Sequence, residues 1–135
     1  MVLFPNSDIT LYNKYYDFSS GYDLYQRTVI KNVNWNAKRN ATVSSNGLLL
    51  ADSIRIILDK LDNYISPKMF RKLNETERPN YFTLAIDDKV VKGEIDFEIL
   101  GIKPNSIADL EKNYDDVINI MSFRPLSDHF EVEGK

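Results

Sequence analysis

The sequence predicts a mainly β fold, a small antiparallel β-barrel or sandwich carrying two short helical insertions. Three observations predict it. Residues 94–99 alternate without exception, with Ile95, Phe97 and Ile99 against Glu94, Asp96 and Glu98, the signature of a strand buried on one side and wetted on the other. Turn residues punctuate the chain at short intervals, most clearly at Asn46-Gly47, a pair that takes the positive φ values of a type I′ hairpin. Seven or eight short strands with brief helices between them suit a closed or double-layered β architecture better than an α/β layer.

Taken in order, Asp8–Tyr16 reads as a first strand, with Ile9, Leu11 and Asn13 alternating against Thr10 and Tyr12. Asp17-Phe18-Ser19-Ser20-Gly21 is turn chemistry, because Asp and Ser bond back to their own backbone and Gly accepts positive φ. Leu24–Trp35 is a long second strand. Its apolar residues fall on both parities, Val29, Val33 and Trp35 on one and Ile30 on the other, which calls for a bulge or for burial on both faces. The polar run Asn36–Asn40 reads as a loop, and Ala41–Ser45 with Leu48–Leu58 as a hairpin about Asn46-Gly47.

Residues 59–80 read as a helix-bearing insertion. Ser66-Pro67 opens a helix of two turns, Ser as N-cap and Pro at the first helical position. Phe82–Ile86 leads as an extended segment into the Asp87-Asp88 turn, the short strand Lys89–Lys92 and the alternating strand after Gly93. Ser106 and Asp109 form a capping box that opens a second helix through Tyr114. Val117–Phe123 and His129–Glu133 are the closing strands. The whole of residues 1–135 reads as one domain, without repeats or linkers.

Composition bounds the role. The 135 residues are 43% hydrophobic and 27% charged, with a net charge of −3, which fits a globular chain and disfavours gripping a phosphate backbone. No apolar run is long enough to span a membrane, and the start at Met1-Val2-Leu3-Phe4-Pro5 lacks the pattern of a secretion signal. With no cysteine, disulfides and thiolate metal sites are excluded and an intracellular setting is favoured. From Asn105 onward seven acids face three bases, whereas Lys68, Arg71 and Lys72 form a basic cluster. The asymmetry reads as solvated surface, or as a pair of surfaces that orient a neighbour.

Catalytic and cofactor chemistry is not called for. His129 is the single histidine, too few for a His-based zinc site, and its nearness to Ser127 has no catalytic meaning without matched geometry. The acid pairs Asp87-Asp88 and Asp115-Asp116 read as turn residues rather than cation ligands. The glycines are isolated, so no phosphate-binding loop is present. Five of the eight tyrosines, Tyr12, Tyr15, Tyr16, Tyr22 and Tyr25, lie early in the chain, where they read as strand packing or as an interface. With Lys14, Arg27 and Lys31 they also admit a single-strand nucleic-acid platform of the OB type.

Longer motifs carry a resemblance. Ile9-Thr10-Leu11-Tyr12-Asn13, the run Tyr25–Trp35, Gly47-Leu48, Ala51-Asp52 before Ile54-Arg55-Ile56, Tyr64–Lys68, Asp88–Ile99, Asp116-Val117 and the ending His129–Lys135 resemble small head–tail connector proteins of tailed phages and prophages of Gram-positive bacteria. Asp88-Lys89-Val90-Val91-Lys92-Gly93 followed by the alternating segment is similar to the head-closure, or stopper, barrels of that group. The resemblance implies a non-enzymatic virion protein of the neck region, assembled in the host cytoplasm as a ring between portal or adaptor and tail. It implies no cofactor, membrane or small-molecule substrate, and places the protein near packaged DNA without specific binding. Its interface candidates are Tyr12, Tyr15, Tyr16, Tyr22, Tyr25, Lys68, Arg71 and Lys72, with strand addition along Asp8–Tyr16 as a second mode. The 59–80 insertion exceeds what a minimal barrel needs, so tail completion or a minor capsid role stays open. A nucleic-acid-binding OB-like barrel is the alternative.

Overall fold

The computed structural model describes residues 4–44 and 47–135, with side chains for 4–37 and 53–135. Six strands close an antiparallel barrel among the described residues: β1 (Ser7–Asp17), β2 (Tyr22–Ser44), β3 (Gly47–Asp59), β4 (Lys89–Lys92), β5 (Val117–Pro125) and β6 (His129–Gly134). Their order around the barrel is β1-β2-β3-β6-β5-β4, with β4 returning to β1. Closure leaves most strand edges paired, which removes the open edges that a sheet must otherwise protect. Ile9 and Leu11 of β1, Val33 and Trp35 of β2, Ile56 and Leu58 of β3, Ile118 and Ile120 of β5 and Phe130 and Val132 of β6 fill the interior.

β2 carries the bulge that its two-parity pattern demands. Ile9 pairs with Ile30 and Ser7 with Val33, so β2 holds one extra residue there. Asn32 absorbs it at φ +59°, a left-handed conformation that Asn tolerates better than most residues. Asp8 Oδ1 accepts the Asn32 backbone N–H at 3.0 Å and fixes the kink. The bulge moves the inward face from Ile30 to Val33 and Trp35, all buried.

Three expectations need correction. Residues 36–40 are strand, not loop: β2 runs unbroken to Ser44, paired with β3 from Asn34 opposite Ile57 to Ser44 opposite Gly47. The Asn46-Gly47 turn type involves a position outside the described residues. Residues 94–99 do alternate in burial but join no ladder. The backbone of residues 93–97 bonds to side chains of β1 and β2 instead: Gly93 O accepts from Thr10 Oγ1 at 2.7 Å, Ile95 N–H donates to the same hydroxyl at 3.0 Å, Ile95 O accepts from the Arg27 guanidinium at 3.0 Å, and Phe97 O accepts from Tyr12 at 2.6 Å. Phe82–Ile86 makes only one bridge, Phe82 beside Tyr64. The first helix, α1 (Pro67–Phe70), is one turn rather than two, though Ser66 caps it as the sequence indicates. α2 (Ile107–Asn113) carries the full Ser106–Asp109 capping box.

Two insertions dress the barrel. Residues 60–88 send Phe82 and Leu84 into the interior cluster, and Tyr64 stacks against Phe82, Phe123 and Phe130 at centroid separations of 4.6–5.8 Å. Residues 93–114 form an outer layer in which Tyr12, Val91, Ile99 and Leu110 make a second buried cluster. β1 is therefore buried on both faces, which explains why residues 9–13 are all inaccessible.

Candidate functional site

A groove of about 600 Å³ lies between the β1–β2 turn, the segment after α1 and residues 85–88. One wall is local turn chemistry. The Gly21 N–H closes on Asp17 O at 2.8 Å with Gly21 at φ +78°, a conformation glycine adopts without strain. The Asp17 carboxylate accepts from the Ser19 hydroxyl at 2.9 Å, and bonds from Ser20 and Ser19 hold its pKa below the usual carboxylate value. The turn presents Phe18 to solvent at 87% exposure, edge-on to Tyr16 at 4.9 Å.

Arg78 forms the opposite wall. Its guanidinium lies 3.9 Å from the Tyr15 ring centroid and donates to Leu73 O at 3.1 Å. Stacking on an aromatic face keeps the charge while covering apolar surface.

Asp88 lies at the groove floor, 3% exposed. It accepts from Asn13 Nδ2 at 2.7 Å, the Lys14 N–H at 3.1 Å and the Ala85 N–H at 3.3 Å. Asn13 in turn exchanges bonds with the Thr83 backbone, 2.7 Å from its Nδ2 to Thr83 O and 3.2 Å from the Thr83 N–H to its Oδ1. These bonds sew residues 83–88 onto β1 beyond the end of β4. Burial outweighs them for the proton and pushes the Asp88 pKa up to about 6.

The structure separates the eight interface candidates. Tyr12 is fully buried beneath Phe97 and belongs to the outer core, because its hydroxyl satisfies a carbonyl of the 93–99 segment. Tyr25 is half-buried in the same cluster, and that burial, chiefly, raises its pKa. Tyr15, Tyr16 and Arg71 come together in the groove. Tyr22 is exposed beside them in the ladder, opposite Asp17. Lys68 and Lys72 are exposed near Arg71 in sequence but do not line the groove. Strand addition along Asp8–Tyr16 is restricted, since β4 occupies Ile9–Tyr12 and Asp88 takes the Lys14 N–H.

Sequence reasoning passed over Phe18, Arg78, Ile86 and Asp88 as site residues. Phe18 carried a usable signal, a large apolar residue inside a polar turn. Asp88 carried none, because a turn aspartate and a buried one look alike in sequence.

Elsewhere several ionisable groups are paired with one another. His129 Nδ1 lies 2.6 Å from Asp128 Oδ1. Arg55 and Arg124 both reach Glu131 Oε1, at 3.0 and 3.1 Å. Among the described residues no three His, Cys, Asp or Glu side chains converge as a metal site, and no helix is long and apolar enough to cross a membrane.

The sequence pattern of one family matches residues 4–135, nearly the whole chain. The chain belongs to the family of unknown function DUF6751. No curated protein and no solved structure matches it. For this DUF6751 chain, then, the groove and the long β2–β3 ribbon are the features from which a role has to be argued.

Proposed function

We propose that this chain is a structural connector subunit that assembles into a ring, as a head-closure or stopper-like protein between portal or adaptor and tail in a phage neck. The observation that carries the reading is a closed barrel with a β2–β3 ribbon that runs on past every other strand. A rigid barrel supplies a repeating body, and projecting elements on such a body are where binding concentrates. Rotationally related copies can then close through heterologous contacts. The sequence resemblance set out above supports the same role over most of the chain. In this reading the protein works by shape rather than catalysis, and its partners are other copies of itself and the proteins above and below the ring.

Co-expression with any portal and tail-completion proteins found encoded beside its gene, followed by affinity purification and electron microscopy, tests the proposal. A ring seated on the portal is the expected result. A gene neighbourhood without portal and terminase genes would overturn it. So would tight, steeply salt-dependent binding of single-stranded oligonucleotide.

A further inference from the structure

The groove is bounded by an unfinished strand edge. An antiparallel ladder sends the backbone groups of successive residues to opposite sides of a strand. The Gly93 N–H bonds Asp8 O at 2.7 Å, and Asp88 Oδ1 takes the Lys14 N–H at 3.1 Å, so the even-numbered residues of β1 face the β4 side. Gly93 and β4 serve that side from Asp8 to Tyr12. Upstream of Lys89 the chain leaves this line, because Asp87 turns at φ +75° and gives its N–H to Ile120 O at 2.8 Å. The Asp88 carboxylate fills one place that a strand carbonyl would take. Lys14 O, Tyr16 N–H and Tyr16 O face the same side and have no partner among the described residues.

A row of donors and acceptors of this kind is completed by another extended backbone. The two faces of the edge also select side chains, since a residue paired with a strand shares a face with the residue opposite. Tyr16 is half exposed beside the exposed Phe18, an apolar face. Tyr15 takes the other face, where the Arg78 guanidinium covers its ring at 3.9 Å. Arg78 donates to Leu73 O, but its Nε is buried without an acceptor, a costly state for a donor. Arg71, on the segment after α1, also lines the groove and has no ion-pair partner among the described residues. Asp23 and Glu75 line the groove too, yet neither is within ion-pair reach of Arg71 or Arg78. The face that carries Tyr15 therefore calls for an acid from outside.

We propose that the groove takes an extended peptide of a partner protein, added antiparallel to Lys14–Tyr16, with an apolar residue opposite Tyr16 and an acidic residue after it, opposite Tyr15. The first peptide residue exchanges two backbone bonds with Tyr16, and the third donates its N–H to Lys14 O. Asp88 already makes the fourth bond of that ladder. The first side chain packs on Tyr16 and Phe18, and the acid between meets Arg78 and Arg71. This chain's own apolar–acidic run, Ile95-Asp96-Phe97-Glu98, is held over β1 by Thr10, Tyr12 and Arg27, and β6 holds Phe130-Glu131 and Val132-Glu133 within the barrel. Neither run is free to serve a second copy, so the occupant comes from another protein. The site does not depend on ring formation.

The test selects yeast-displayed random heptapeptides on the full chain, with Tyr16→Pro as counter-target. Proline removes the Tyr16 N–H and is tolerated on a strand edge whose N–H faces outward. Peptides that share an apolar–acidic pair and bind the chain but not the variant are expected. An N-methyl scan of the best synthetic peptide then reads the pairing on the unaltered chain, free of any effect of proline on the fold. Methylation opposite Tyr16 or opposite Lys14 is expected to lower affinity about tenfold. Methylation of the residue between them, whose N–H points away, should leave it unchanged. Arg78→Gln should cost about tenfold with the acidic peptide and nothing once its acid is replaced by the amide. No enrichment, equal binding to Tyr16→Pro, or any other pattern in the N-methyl scan would overturn the proposal. So would self-association of the unaltered chain in sedimentation velocity that Tyr16→Pro abolishes, which would place a second copy at this edge. Each of these outcomes leaves the connector reading to its own test on the portal.

Discussion

The two faces of β1 are equally buried and differently held. On the inner face Ile9 and Leu11 pack into the interior hydrophobic cluster, and only Asn13, beyond the end of β4, uses its side chain to bond a covering segment. On the outer face Thr10 and Tyr12 bond the backbone of residues 93–97 through their hydroxyls. Inside, ladders fix the strands and side chains fill the space. Outside, side chains do what a ladder would do, and the covering segment stays extended without becoming a strand. Burial alone therefore does not reveal how a layer is attached.

Substitutions that separate the two modes should differ in size. The largest effect is expected from Leu11→Ala, which opens a cavity in the closed interior. A loss of about 3 kcal/mol is expected for a site that relaxes only partly, read as a lowered urea midpoint with an unchanged slope. A loss under about 1 kcal/mol would mean that the interior collapses freely.

Next comes the hydrogen-bonded attachment at Asp88. Its folded-state pKa of about 6 lies above the ordinary 3.8, so folding favours the protonated form. Its contribution is favourable below about pH 4 and is lost as pH rises through about 6, an overall change of about 3 kcal/mol. Asp17, Asp109 and Asp128, whose pKa values are lowered, act with the opposite sign at lower pH. The comparison is therefore made as the difference between the unaltered chain and Asp88→Asn, in which the slope between pH 4 and 6 should vanish. A side-chain NMR titration giving an ordinary Asp88 pKa would contradict it.

The smallest effect belongs to the outer face. Tyr12→Phe keeps the ring and leaves the Phe97 carbonyl without its donor, a cost of about 1–2 kcal/mol. Amide exchange should quicken across residues 93–99 while β1, β5 and β6 stay protected. Uniform acceleration would show that the outer layer and the barrel open together.

The same contrast explains what the sequence made legible. Alternation at 94–99 correctly reports an extended chain with one face covered, since Ile99 is buried and Glu94, Asp96 and Glu98 are exposed. It does not report whether the backbone partner is another strand or the hydroxyl of Thr10 or Tyr12, which lie more than eighty positions away. Caps and bulges were legible because their physics is local: Ser66, Ser106 and the parity conflict around Asn32 each act within a few residues. The run Asn36–Asn40 misled because a ladder is made by the backbone, so polar side chains do not by themselves mark a break in it. The groove was half legible. Tyr15, Tyr16 and Arg71 stood out by type, while Arg78 and Asp88 owe their places to contacts with Tyr15 and Asn13, 63 and 75 positions away.

The length of β2 has a mechanical consequence. Its 23 residues form one uninterrupted backbone from the groove end to the ribbon end. Tension applied between those ends runs along covalent bonds, while the flanking ladders to β1 and β3 are strained in shear, many bonds at once, rather than unzipped singly. A pull at one end is thus delivered to the other with little stretch, through a tie-rod that has a single give at the Asn32 bulge.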